Sequence, residues 1–399
     1  MMTMMTSNTP KSDTRYAALP GILSCMLSRT VAVAVLAAAF CAPAFAQAHA
    51  ATALNDGPYA FYQQGNPGLE VKWICNDQEL TQSYPQRSHL SLPAKCAYPY
   101  PIEIREPEAA RPAVVRFTAK KIAAFSDIHG QFGLMTQLLQ ANHIIDDKGQ
   151  WQFGDGHLVL TGDVFDRGPQ VTEALWMLYA LEAQAKKAGG DVHLLLGNHE
   201  TMALSNDLRY VNPKYLEVAR RFNKTYPELF SNDSVLGQWL RSRPVIVQVN
   251  DMLFMHGGLH PDYLNLKLSV AETNEKFRAS LGLSKAQVKT NDVLAFLYGS
   301  LGPVWYRGYF NEPKLDSSAL DQLLAQMQVR RIIVGHTTMD GVYSHYDGRV
   351  ISIDSGIKGG VSGEMLFWEN NQLHKAGLDG KQVDVPNAPE RHKMQKIAD

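Results

Sequence analysis

The stretch Leu194 to Glu200, LLLGNHE, carries an apolar run straight into a glycine, an amide, an imidazole and a carboxylate. A strand running into a turn, with Asn198 capping the next helix, accounts for it locally. Strand ends are also where open α/β sheets place their chemistry, and the same pattern recurs along the chain. AAFSDIHG (residues 123–130) ends in Asp127 and His129, and LVLTGDVFDRG (158–168) ends in Asp163 with Asp166 and Arg167 behind it. LFMHGGLH (253–260) delivers His256, and IIVGHTT (332–338) delivers His336. Each alone reads as a turn, a surface ion pair, a cap or a core histidine. Five strand ends together point to one site.

The runs between these ends set the fold class. KIAAF, HLVL and DVHLLL are short apolar strands, and the amphipathic segment 171–188 separates the last two, so this half is α/β with parallel pairing. In the second half PVIVQV and MLFM are split only by Asn250-Asp251, an antiparallel hairpin. RVISI and MLFW, after the turn at Asp347-Gly348, read as a second hairpin. Between the halves Asn212-Pro213 opens a helical insertion, with asparagine as cap and proline at the first helical position, reaching about Arg243. It reads as a cap over the site (residues 202–243). Its Tyr210, Tyr215, Phe222, Tyr226, Phe230 and Trp239 form a candidate aromatic wall for a phosphotyrosine ring, or else pack the insertion down.

Ahead of the main domain (116–370), LEVKWIC alternates Leu69, Val71, Trp73 and Cys75 on one face, and prolines from residue 99 to 112 mark an extended connector. Residues 47–115 form a small N-terminal module, and 371–399 a C-terminal strand and polar tail.

At 399 residues and 45% hydrophobic content the chain can fill a sizeable core. Its 38 Lys+Arg balance 39 Asp+Glu, leaving no basic excess for nucleic acid or an anionic membrane, and neither is expected as a partner. Arg29, the apolar run 31–42 and the small-x-small pattern Ala44-Phe45-Ala46 form a signal peptide (1–46) cut after Ala46. A soluble periplasmic or secreted protein follows. Residues 1–25 read as an extra leader, with translation starting at Met26. Bulky Phe40 argues against a lipid anchor at Cys41, and the remaining Cys75 and Cys96 invite a disulfide in an exported chain.

Asp, His and Asn donors without a thiolate suit Mn, Fe, Zn or Mg. A two-metal hydrolase needs one carboxylate between cations about 3.5–4 Å apart, and Asp163 is the natural bridge. Two dications against Asp127 and Asp163 leave the site positive, fit to attract a phosphate dianion.

DIHG, GDVFDRG, GNHE, HGGL and a late GHT, in that order, resemble the calcineurin-like metallophosphoesterases, in their phosphoprotein phosphatase branch. DGPYAFY (56–62) and DLRY (207–210) are similar to segments of the bacterial Shewanella-like protein phosphatases. The resemblance covers residues 120–367. It implies a four-layer α-β-β-α sandwich, two packed mixed sheets flanked by helices, with a helical cap. It implies one metal on Asp127, His129 and Asp163, and a second on Asp163, Asn198, His256 and His336, with manganese the expected ion. It further implies His199 as general acid steadied by Asp166, and attack by a water held between the metals. Arg167 would grip the phosphate, with Arg307 in VWYRGYF, or Arg209, as the second arginine. His260 departs from the pattern, standing where these phosphatases carry a small residue.

The expected function is an exported metal-dependent phosphomonoesterase acting on phosphoprotein or phosphopeptide, on Ser/Thr or Tyr. The alternatives are a symmetrical dinucleoside tetraphosphate hydrolase and a non-catalytic phosphate-binding module.

Overall fold

The computed structural model describes residues 53–389, except 64, 66 and 107–115. The expected signal peptide, its expected cut site, the expected Met26 start and Cys41 lie outside the described residues, as do part of the proline-rich connector and the last ten residues.

The chain enters through β1 (Asp56–Tyr62), β2 (Leu69–Cys75) and β3 (Gln78–Tyr84), an antiparallel sheet, followed by the pair β4 (Leu90–Leu92) and β5 (Ile102–Ile104). Leu69, Val71 and Trp73 are fully buried, as the alternation requires, and Cys75 is disulfide-bonded to Cys96. The remaining strands are β6 (Arg116–Phe117), β7 (Lys121–Phe125), β8 (His157–Leu160), β9 (Asp191–Leu194), β10 (Ile246–Val249), β11 (Met252–Met255), β12 (Arg331–Val334), β13 (Tyr343–His345), β14 (Val350–Ser352), β15 (Met365–Glu369), β16 (Gln372–Ala376) and β17 (Val383–Asp384).

They build two six-stranded mixed sheets, ordered β17-β16-β15-β7-β8-β9 and β13-β14-β12-β11-β10-β6. In the first, β7, β8 and β9 run parallel. In the second, β10 and β11 form the expected hairpin across Asn250-Asp251, and β11, β12 and β14 run parallel. The period of two divides the core. Ile122 and Ala124 of β7 join Met252 and Phe254 of β11 in one apolar cluster between the sheets. Their neighbours Ala123, Phe125, Leu253 and Met255 face the other way, in a cluster shared with the helices. Those are α1 (Phe132–Ala141), α2 (Val171–Lys187), α3 (Asn198–Leu204), α4 (Pro213–Arg221), α5 (Val235–Arg241), α6 (Val270–Ser280), α7 (Lys285–Val288), α8 (Asp292–Leu297) and α9 (Ser317–Met327). Helix α2 lies on β9 and α6 on β10, which gives the layer order helix, sheet, sheet, helix.

One pairing differs from the sequence reading. RVISI and MLFW do not pair, because β14 and β15 belong to different sheets. β14 turns back on β13 across Tyr346-Asp347-Gly348, and β15 on β16 across Asn370-Asn371, whose two positive φ angles suit a tight hairpin. The glycine-rich stretch between β14 and β15 carries the chain from one sheet to the other.

The cap aromatics also differ from a wall. Tyr215, Phe222, Tyr226, Phe230 and Trp239 are each at most 8% exposed and pack the insertion onto the body. Tyr59 of β1 meets Phe222 and Phe230 edge-on, and Trp239 meets Tyr179 of α2. Tyr210 alone of the six stays half-buried and faces the site.

Candidate active site

Asp127 follows β7, Asp163 follows β8, Asn198 opens α3 behind β9, His256 follows β11 and His336 follows β12. Leaving a strand this sharply requires unusual backbone: Asp127, His129, Asp163, Asp166, Arg167 and His336 all have φ between 46° and 72°. Non-glycine residues held there carry strain that the surrounding structure must support. Gly197 and Gly335 make room, since a Cβ on the first would collide with the Asp163 carboxylate and on the second with Ser126.

Glu200 provides much of that support. Its buried carboxylate accepts from the backbone N–H of Asp163 (2.8 Å), Val164 (2.7 Å) and Gly197 (2.6 Å), tying the GDVFDRG and GNHE turns together. Burial, then the Asp163 charge, pushes its pKa up to about 6. The cap supplies a second brace. Asn212 and Lys214 donate to the carbonyls of Arg167 and Pro169, the Tyr215 hydroxyl donates to Pro169, and the Arg167 N–H donates to the Tyr210 carbonyl.

Hydrogen bonds fix which imidazole nitrogens point inward. His129 Nδ1 donates to the Phe165 carbonyl (2.7 Å) and His256 Nδ1 to that of Thr161 (2.8 Å), which turns both Nε2 atoms toward Asp163. His336 is reversed: Nε2 donates to the Trp305 carbonyl (3.2 Å) and Nδ1 faces inward. Asn198 gives its amide N–H to Met202 Sδ and turns Oδ1 inward.

These inward atoms crowd together. His256 Nε2 lies 2.9 Å from Asn198 Oδ1, 3.1 Å from His336 Nδ1 and 3.1 Å from Asp163 Oδ2. On the other side His129 Nε2 lies 3.5 Å from Asp163 Oδ2 and 3.8 Å from Asp127 Oδ1. Among the described residues, two groups bring ligand atoms within 4.8 Å of one another, Asp163 with His129 and His199, and Asp163 with His256 and His336. Asp163 belongs to both. Donor atoms this close need positive charge between them: burial disfavours a proton on His256, but Asp163 and Asp127 outweigh it and raise its pKa to about 9, and hard or borderline divalent cations fit the same donor set. Burial holds the pKa of His129 down at about 3, and burial with the neighbouring His256 keeps His336 well below its usual value, so both stay in the neutral, ligating form.

His199 differs from the other imidazoles. Its Nδ1 donates to Asp166 Oδ2 at 2.6 Å, and its Nε2 sits 3.8 Å from Asp163 Oδ2. Burial works against its proton, but Asp163 and Asp166 outweigh it, so its pKa is raised. The Tyr210 ring lies 5.2 Å from the His199 ring, and the Arg167 guanidinium stands over it, also at 5.2 Å. Arg167 Nε is buried and makes no hydrogen bond among the described residues. Arg307 lies against the ligand cluster, donating to the His336 carbonyl at 2.7 Å. Arg209 does not share that setting. It is exposed, and both prongs of its fork rest on Asp207 at 2.8 Å. His260 has a structural role, capping a short helical turn by accepting from the Asp262 N–H, and its ring packs against Tyr306.

Matched against known families, residues 120–339 fit the calcineurin-like phosphoesterase model. The chain belongs to this family. It is a metal-dependent phosphoric monoester hydrolase, and the family's dependence on divalent metal agrees with the donor cluster. The chain is 30% identical to Shewanella-like protein phosphatase 1 of Plasmodium berghei, over 59% of this chain and 67% of that protein. It is 27% identical to a symmetrical bis(5'-nucleosyl)-tetraphosphatase of Chromobacterium violaceum, over 63% of this chain and 93% of that one. Among solved structures, a cold-active protein-tyrosine phosphatase of a psychrophilic Shewanella species superposes with a TM-score of 0.79. It shares 40% identity over 83% of this phosphoesterase and 99% of that chain.

The sequence reading missed the roles of two residues at this site. Glu200 lies inside the quoted motif, but its backbone partners are 35 to 37 residues away in sequence for three of its four bonds. Asp354 is fully buried, bonded to Thr338 Oγ1 (2.7 Å), and burial and Asp127 raise its pKa to about 8. Its signal was available, since ISIDSG is one more strand running into an acid and a glycine. Tyr210, already named among the cap aromatics, is the one that reaches the site, its ring tilted 51° against that of His199.

Proposed function

We propose that the protein is an exported phosphomonoesterase that holds two divalent ions and acts on phosphorylated proteins or peptides, phosphotyrosine among them. Asp127, His129 and Asp163 would hold one ion, and Asp163, Asn198, His256 and His336 the other, with manganese the expected metal. Bound, the ions supply positive charge for the phosphate and acidity for the attacking water.

The observation that carries the reading is the His199–Asp166 pair beside the shared Asp163. A module that only bound phosphate would have no use for a proton donor there. Arg167, with its unsatisfied Nε, and Arg307 grip the phosphate oxygens. Water attacks phosphorus on the side opposite the ester oxygen, the P–O bond to that oxygen breaks, and His199 Nε2 delivers the proton that the leaving oxygen takes up. Asp166 keeps Nδ1 engaged, so the proton given up comes from Nε2. The products are inorganic phosphate and a free hydroxyl or phenol.

Support for a peptide substrate comes from the protein phosphatases this chain resembles and from an aromatic-lined cavity beside the site, with Tyr298, Trp305 and Tyr306 in its walls. Export is supported by the Ala44-Phe45-Ala46 pattern together with the Cys75–Cys96 bond. Purified mature protein with added Mn, offered p-nitrophenyl phosphate, a phosphotyrosyl peptide and a dinucleoside tetraphosphate, decides the substrate. The two monoesters should be hydrolysed and the dinucleotide left. Preferred cleavage of the dinucleotide refutes the proposal.

A further inference from the structure

Beside the Asp163 cluster lies a cavity of about 1000 Å³. One wall is the chain leaving α3, residues 201–209, and the other is drawn from residues 283–313, which no motif marks. The cavity adjoins the reacting centre: Trp305 and Arg307 line it, and both are hydrogen-bonded to His336. A single phosphorylated side chain fills only part of such a volume, so neighbouring residues of a bound peptide have room beside it.

The charge on these walls is uneven. The charged lining residues are Arg209, Lys285, Lys289, Arg307, Asp207 and Glu312. Arg209 and Asp207 cancel through their two-pronged pair. Two lysines and Arg307 are left against one carboxylate. Lys285 and Lys289 stand four residues apart across the one-turn helix α7, so both project from the same side, and both are exposed. A reciprocal cap fixes that turn, with Ser284 N–H donating to Gln287 Oε1 at 2.9 Å and Gln287 N–H to Ser284 Oγ at 3.3 Å. Neither lysine makes an ion pair among the described residues. Asp207, whose carboxylate feels the charge of Lys285, is already committed to Arg209. Two like charges held on one face repel each other, and an anion between them relieves the repulsion.

We infer that this cavity is a specificity subsite for an acidic side chain of the substrate: a phosphopeptide binds with an Asp or Glu near its phosphorylated residue seated on Lys285 and Lys289. The inference rests on the peptide-phosphatase reading of the same centre. Apolar Leu283, Val288 and Leu301 around the lysines suit a peptide chain better than a free inorganic anion.

The test uses the full mature chain with added Mn and phosphotyrosyl peptides that differ only in Glu or Gln beside the phosphotyrosine, on either side. At low salt kcat/KM should favour the Glu peptide about tenfold, since two exposed ion pairs contribute roughly two- to fivefold each. At about 0.5 M salt the preference should approach parity. The Lys285→Ala/Lys289→Ala variant should bring the ratio near one while leaving p-nitrophenyl phosphate turnover unchanged, and Lys285→Glu/Lys289→Glu should favour the Gln peptide. Equal turnover of both peptides by the unaltered protein, or a preference that survives the double alanine change, overturns this inference alone. Hydrolysis of p-nitrophenyl phosphate with no peptide turnover, or a dinucleoside tetraphosphate cleaved faster than every peptide, overturns the peptide reading and this subsite with it.

Discussion

Asp166→Asn separates the proton donor from its support without removing either side chain's bulk. Asp166 is fully buried, His199 is 5% exposed, and their bond is 2.6 Å long. A charge-assisted hydrogen bond of this kind contributes about 1.5–3 kcal/mol. At about 1.4 kcal/mol per factor of ten, its loss from the transition state slows the reaction roughly 10- to 150-fold. The loss should depend on the leaving group. Phenolate from p-nitrophenyl phosphate departs with little help, so its kcat should fall less than about threefold, whereas an alkyl phosphate needs the proton and should show the full loss. The pH profile gives an independent reading. Asp166 helps to raise the His199 pKa against burial, so the variant's His199 deprotonates at lower pH. The acid form is required, hence the alkaline limb for the alkyl ester should move to lower pH. Equal loss on both esters, or an alkaline limb that stays in place, refutes the assignment of His199 and Asp166.

Two further outcomes are expected. Glu173 is buried in α2 near Asp56 and Lys214, and burial followed by the Asp56 charge raises its pKa to about 7. A carboxyl whose folded pKa exceeds its unfolded one costs stability as pH rises from the unfolded value through the folded one, so Glu173→Gln should raise Tm more at pH 8 than at pH 5; an equal change at both would contradict this. Periplasmic material should begin at Gln47 by N-terminal sequencing, and recovery of only an intact cytoplasmic form would sink the export proposal.

The sequence made the strand ends legible because an apolar run ending in a polar side chain, with a glycine close by, is a local signal. Asp127, Asp163, Asn198, His256 and His336 all announced themselves this way. Relations between distant segments were less visible. Nothing in RVISI and MLFW tells that the glycine-rich stretch between them crosses from one sheet to the other. The cap's aromatic spacing fits a substrate wall and a packed core equally well, and burial of Tyr215 and Phe230 decided for the core. The wall that does face the centre comes from residues 283–313. Its capping box, Ser284 with Gln287, is a readable sign of a helix but says nothing of what that helix encloses.

Metal content tests the central claim most directly. Purified mature protein, and its Asp163→Asn counterpart, would be analysed for bound divalent metal alongside p-nitrophenyl phosphate turnover. Asp163 belongs to both ligand groups, and a neutral amide bridges two cations poorly. The account predicts two equivalents of metal in the unaltered protein, with activity lost on chelation and restored by Mn, and less than one equivalent with negligible turnover in the variant. A single equivalent in the active protein, or a variant that keeps two equivalents and turns over, would contradict a two-ion centre built on Asp163.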